Sequence, residues 1–216
     1  MSFYTVNPPD RPLMPSHLHD QRLDAVLRAV RDCRPRTLID LGCGEGDLLT
    51  HLRDQPGLER IIGVDHAPAA LEQARVRLRA RQDEATGTRI ELVLASMTER
   101  DVGPRGVDCA LLIETIEHIA PNQLSRVEQV LFDHLRPTHV IITTPNADYN
   151  GILGVPPERF RHPGHRFEWG RAKFRQWSQG IAHRHGYEVA CSDIAGLHPL
   201  YGGASQMARF TRRAPT

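Results

Sequence analysis

Two glutamates and a histidine crowd into five residues of this chain, Glu114-Thr115-Ile116-Glu117-His118. Read as a helix, that spacing sets Glu114, Glu117 and His118 at i, i+3 and i+4 on one face. Carboxylates and imidazole with open coordination positions suit Mg²⁺, Mn²⁺ or Fe²⁺ better than the thiolate-rich pattern of structural zinc. A helical face of this kind is often merely solvated, so its position decides what it means. The apolar run from Val107 to Ile113 just before it reads as a buried strand. The triplet therefore follows a strand's carboxyl end, where open α/β sheets place their ligand crevices.

A second candidate site lies upstream. Leu38-Ile39-Asp40-Leu41 reads as a strand that feeds Gly42-Cys43-Gly44-Glu45-Gly46 and then a helix. Glycines there let backbone approach a ligand and accept positive φ. Asp65 ends the next strand 19 residues after Gly46, where a carboxylate can accept both hydroxyls of an adenosine ribose. The spacing is GxGxG, not the GxGxxG of dinucleotide enzymes. Asp40 before the turn suits a cofactor with cationic groups rather than a pyrophosphate.

The elements that must hold these residues alternate. Residues 1–17, with Pro8, Pro9, Pro12 and Pro15, read as an extended arm, and 18–216 as one catalytic domain. A helix is predicted over Leu18 to Cys33, with Leu23, Val26, Leu27 and Val30 as its apolar stripe. Strands follow at 36–41, 61–65, 89–94, 107–113 and 139–144. Helices are predicted around 48–52 and over Pro68 to Gln82 and Pro121 to His134. Residues 145–169 form a loop far longer than usual, of the kind that commonly carries function. Helix returns over Arg171 to His185, and two strands close the chain, Tyr187 to Ile194 and Gln206 to Thr211. This alternation predicts a mostly parallel sheet with helices on both faces and an antiparallel pair at its end.

Composition sets bounds. At 216 residues, 40% hydrophobic and 25% charged, the chain suits one globular domain. The net charge of +1 alone does not argue for nucleic acid, although arginine far outnumbers lysine and favours bidentate phosphate contacts. Cys33, Cys43, Cys109 and Cys191 form no CxxC pair, so reduced thiols in a cytoplasmic protein are expected. The first 15 residues contain no apolar stretch of the signal-peptide kind, and no run is long enough to span a membrane.

Taken together, the glycine motif, Ile113 to His118, Thr143-Thr144-Pro145-Asn146-Ala147-Asp148-Tyr149-Asn150, Phe160-Arg161-His162-Pro163-Gly164-His165-Arg166-Phe167-Glu168-Trp169 and Gln206-Met207-Ala208 resemble one family. That family is the RNA 3′-terminal ribose 2′-O-methyltransferases, within the class I S-adenosylmethionine-dependent superfamily. The resemblance implies a Rossmann-like seven-stranded α/β fold with an antiparallel C-terminal strand. It implies S-adenosylmethionine against Asp40, Gly42, Gly44, Asp65, Ser96, Met97 and Ile113. It implies Mn²⁺, with Mg²⁺ as the alternative, on Glu114, Glu117, His118 and His165, chelating the terminal 2′-OH and 3′-OH of an RNA.

Around that centre Arg161, His162, Arg166, Asn146 and Tyr149 are expected to touch the RNA, whereas Trp169 reads as a core anchor. Family members often have Asp where this chain has Gly164. The resemblance also implies an RNA-repair kinase-phosphatase–ligase partner, which bacterial relatives contact through an additional N-terminal domain for which this chain has no room. The alternative function is metal-dependent O-methylation of a small diol or catechol.

Overall fold

The computed structural model describes residues 15–80 and 89–214. Seven strands form one sheet in the order β3-β2-β1-β4-β5-β7-β6. They are β1 (Thr37–Leu41), β2 (Arg60–Asp65), β3 (Arg89–Leu94), β4 (Cys109–Ile113), β5 (His139–Pro145), β6 (Tyr187–Ile194) and β7 (Ser205–Arg212). The first five pair in parallel, and β7 runs antiparallel to both neighbours. The order turns back between β1 and β4, so a crevice opens at their carboxyl ends.

Strand alternation sends successive side chains to opposite faces, and each face meets its own helices. Leu38, Ile61, Cys109, Leu111 and Ile141 pack with α1 (Pro15–Cys33), α2 (Asp47–Arg53) and α3 (Pro68–Arg79). Ile39, Ile62, Ala110, Leu112 and Val140 pack on the other side with α4 (Leu124–Glu128), its continuation and α5 (Arg171–His185). Burial of Val26, Leu27 and Val30 is what fixes α1 to the sheet.

Three expectations need correction. α1 begins at Pro15, so residues 15–17 are helical rather than part of an arm; residues 1–14 lie outside the described residues. α3 ends at Arg79 with Ala80 as its cap, and residues 81–82 of the expected helix lie outside the described residues. The helix expected from Pro121 to His134 is three pieces: a 3₁₀ turn (Pro121–Gln123), α4, and a π-helical stretch (Gln129–Leu135). The wider coil closes with the Arg136 amide donating to the Leu131 carbonyl, five residues back, at 3.0 Å.

Candidate active site

The glycine turn is built by backbone contacts that side chains would obstruct. Gly42 has φ +86°, and a Cβ there would stand 2.7 Å from Thr115 Cγ2. Its amide donates to the Val64 carbonyl, tying the end of β1 to β2. Gly44 has φ +53° and faces open space, while its amide donates to Asp65 Oδ2 at 2.9 Å. Asp65 Oδ1 accepts from the Ala67 amide. Asp65 is thereby held rigidly at the tip of β2, with lone pairs left for a ligand.

Asp40 is buried in β1, and burial, reinforced by the charge of Asp65, pushes its carboxyl up to about 7. It lines a cavity of about 170 Å³ together with Gly42, Cys43, Ile113, Glu114 and, from α1, His19, Arg22 and Leu23. Met97 approaches the turn, its Cε 3.3 Å from the position of a Gly42 Cβ. The Ser96 and Thr98 hydroxyls are 2.7 Å apart after β3. Six of the expected cofactor residues thus border the turn, the cavity or both, and Ser96 lies one residue from Met97.

The acidic run after β4 does not form an α-helix. Glu114 has φ +50°, held there because its amide donates to both Oγ1 and the carbonyl of Thr143 on β5. Ile116 to His118 then make one 3₁₀ turn. A non-glycine residue in the left-handed region is uncommon and concentrates at functional sites. Glu117 is fully buried, accepting a 2.9 Å hydrogen bond from Thr144. Glu114 accepts from Ser205 at 3.3 Å and pairs with Arg22 at 3.4 Å. Each carboxylate keeps one buried oxygen, Oε1, without a hydrogen-bond partner. Burial, and next the charge of Glu114, push the Glu117 carboxyl well above the usual range.

The long loop brings in two histidines. One nitrogen from each of His118, His162 and His165 lies within 4.8 Å of the others; Glu114 and Glu117 are not in that group. His165 Nδ1 donates to Glu168 Oε1 at 2.5 Å, which leaves Nε2 as its free lone pair. Burial, then the neighbouring His165, push His118 below its ordinary range and so favour neutral imidazole. Gly164 packs against both other rings: a Cβ there would stand 3.0 Å from His162 Nδ1 and 3.1 Å from His118 Nδ1. The orphaned oxygens of Glu114 and Glu117, with the imidazoles of His118 and His165, are a donor set of the chemistry that fits a divalent cation.

Several expected RNA contacts are spent on the fold itself. Asn146 is buried and donates to the carbonyls of Tyr201 and Gly203, while its Oδ1 accepts from the Asp148 amide. Tyr149 is 1% exposed, packed among Leu18, Ala195 and Ala204. Arg161 clamps the loop, donating to Asn150 Oδ1 and to the carbonyls of Ala204 and Asn146. Asn146 and Tyr149 are thus enclosed by the fold, and Arg161, half-buried, spends three donors on it. Arg166 is exposed, with only its amide engaged by the Glu117 carbonyl, and His162 is also exposed. Trp169 packs on Phe167 and Trp177, as a core anchor should.

Sequence reasoning missed His19, Arg22, Thr144 and Glu168. Glu168 stands three residues after His165, within hydrogen-bonding reach in a turn. Arg22 stands one residue before Leu23 of the α1 stripe, so helical periodicity already turned it toward the sheet's edge.

Sheet order, glycine turn and acid-tipped β2 define a methyltransferase domain, and residues 38–138 match the family described as Methyltransferase domain. The small RNA 2′-O-methyltransferase of Arabidopsis thaliana is 35% identical over 91% of this chain and 23% of its own length. A solved bacterial Hen1 methyltransferase domain is 39% identical, with TM-score 0.80 over 90% of this chain and 99% of that one. The solved small RNA methyltransferase HEN1 is 32% identical, with TM-score 0.86 over 98% of this chain and 28% of that one. The chain belongs to the small RNA 2′-O-methyltransferase (Hen1) family. It spans 23% to 55% of the length of the first curated relatives it matches.

Proposed function

We propose that this chain transfers a methyl group from S-adenosylmethionine to the 2′-OH of the 3′-terminal ribose of an RNA, aided by a divalent metal, Mn²⁺ by preference. The observation that carries the reading is the pair of buried, unpartnered carboxylate oxygens on Glu114 and Glu117, three residues apart, with Glu114 lining the cavity below the glycine turn and His118 following Glu117. The names of the relatives supply the acceptor class.

Glu114, Glu117, His118 and His165 would hold the metal. A cation bound there would lower the pKa of a hydroxyl that is otherwise a poor nucleophile, as metals do for bound water. The chain's own residues set up the rest. Asp40 would face the cationic amino group of the cofactor, and Asp65 would accept its ribose hydroxyls. Glu168 fixes the His165 tautomer, so that Nε2 points its lone pair outward. Thr144 orients Glu117 through its one hydrogen bond. Glu114, in its left-handed turn, stands directly after Ile113, joining the cofactor wall to the acceptor end. Such placement would hold the methyl donor and the acceptor hydroxyl next to each other and so reduce the entropic cost of their encounter.

The test is transfer from labelled S-adenosylmethionine to a short RNA, with and without Mn²⁺, against the same RNA ending in a 2′-deoxynucleotide. Label that requires both metal and terminal 2′-OH is expected. Equal labelling of the 2′-deoxy RNA would overturn the reading. Labelling of small diols but of no RNA would transfer it to the alternative acceptor.

A further inference from the structure

The loop joining β6 to β7 presents large apolar side chains at the rim of the candidate site. Leu197 and Leu200 are each 73% exposed and Tyr201 is 41% exposed. Scattered exposed leucines are ordinary on soluble proteins. These three differ because the backbone that carries them is tightly built. The His198 and Gly202 amides donate to each other's carbonyls at 2.7 and 2.9 Å. The Leu200 and Tyr201 amides donate to His198 Nδ1. Ala195 adopts φ +58°, a left-handed turn without glycine. An ordered tip that holds two leucines in water is a preorganised contact surface, since the entropy of ordering it is already spent in the free protein.

Its position narrows the occupant. Ser205 pairs with Pro145, so the loop emerges at the carboxyl edge of the sheet, on the side of the crevice. Ser205 also donates to Glu114, a candidate metal ligand, at 3.3 Å. The Gly196 amide donates to Gln21 on α1, next to Arg22 of the cofactor cavity. Arg161 reaches the Ala204 carbonyl from the long loop, where its neighbour Phe160 is also exposed. Both ends of the loop that carries the tip are therefore anchored beside the place proposed for the terminal ribose. The long loop adds the exposed Arg159 and Arg166 nearby in sequence.

We propose that this tip is a platform for the bases of the RNA's last nucleotides, which rests on the RNA-end methylation proposed above. Flat, weakly hydrated base faces lie against Leu197, Leu200 and Tyr201, while arginines of the long loop meet the phosphates. Contacts of this kind ignore base identity, because every base offers a π face. Affinity should therefore depend on whether the last nucleotides carry bases and on the two leucines, not on which bases they are.

The test measures binding of a 5′-labelled short RNA by fluorescence anisotropy, with S-adenosylhomocysteine and Mn²⁺ present. The comparison RNA is abasic at its last two nucleotides. The native chain is expected to bind the natural RNA at least about tenfold more tightly than the abasic one. L197S/L200S is expected to lose most of that difference while binding abasic RNA as the native chain does. V76S, at a residue 60% exposed on α3, should change neither.

Equal affinity of the native chain for the two RNAs would overturn the platform and leave the methylation reading standing. So would equal weakening of both by L197S/L200S. Self-association of the native chain in sedimentation, abolished by L197S/L200S, would give the tip to a second copy instead. Failure to bind either RNA would remove the methylation reading and the platform with it.

Discussion

Replacing Asp40 with Asn should separate the stability of the empty protein from its affinity for cofactor. Asp40 is 2% exposed, and its carboxyl is pushed up to about 7 by burial and by Asp65. An unfolded chain ionises the same group near 3.8. Between those values the folded state binds the extra proton, so this residue's contribution makes stability fall as pH rises from about 4 to 7 and level off above. The full interval corresponds to about 4 kcal/mol. D40N carries no ionisable group and should escape that loss: it melts higher than the native chain at pH 8, with the gap closing toward pH 4. Cofactor binding should behave oppositely. The amino group of S-adenosylhomocysteine calls for ionised Asp40, which roughly one empty molecule in ten offers at pH 6 and nine in ten at pH 8. The native Kd, measured by calorimetry without metal, should therefore weaken by about tenfold from pH 8 to pH 6. D40N should bind more weakly at pH 8 and show no such slope. A flat native profile, or a D40N variant with native affinity, would refute the assignment of Asp40 to the cofactor's cationic end.

Glu168 holds His165 through a 2.5 Å hydrogen bond, so E168A should lower Mn²⁺ affinity by about 10- to 100-fold in a metal titration, with E168Q intermediate. His162 and His165 both stand near His118, at ring-centroid distances of 5.5 and 4.8 Å. If His165 is the ligand, H165A should abolish Mn²⁺ binding and H162A should leave it within a few-fold; the reverse order would exchange their roles. R161A removes donors to Asn150, Ala204 and Asn146, and should cost about 2–4 kcal/mol in denaturant unfolding, with faster proteolysis within residues 150–168. G42A places a methyl 2.7 Å from Thr115 Cγ2 at φ +86°, and should lose at least about 1–2 kcal/mol of stability together with cofactor affinity.

What could be read from the sequence divides by the range of the interactions that fix it. Asp40, the glycine turn and Asp65 were legible because strand alternation and positive φ are local constraints that leave local marks. The strands were legible for the same reason, and β3, α5 and β6 begin and end where their residue patterns do. Glu114 was recognised by its chemistry but misjudged in conformation. Helical spacing suggested a face, whereas Thr143, 29 residues on, draws the Glu114 amide into a left-handed turn. That difference has a chemical consequence. On an α-helix both carboxylates would share one exposed stripe. Here Glu117 is buried against Thr144, and Glu114 opens toward Arg22 and the cofactor cavity.

The long loop shows the limit most sharply. Asn146, Tyr149 and Arg161 are polar residues in a stretch without regular structure, which favours reading them as surface contacts. Their actual partners are carbonyls and side chains of the β6–β7 loop and α1, many of them more than 40 residues away. Nothing within a local window announces those carbonyls. Once such residues are committed to holding the loop down, the groups left to meet a substrate are those whose polar or apolar surface remains free. On the long loop the exposed side chains include those of Arg159, Phe160, His162 and Arg166, and on the β6–β7 loop those of Leu197, Leu200 and Tyr201. The hydrogen bonds of Asn146 and Arg161 thus tie the 25-residue loop to the β6–β7 loop, at the end of the sheet where nitrogens of His118, His162 and His165 lie within 4.8 Å of one another.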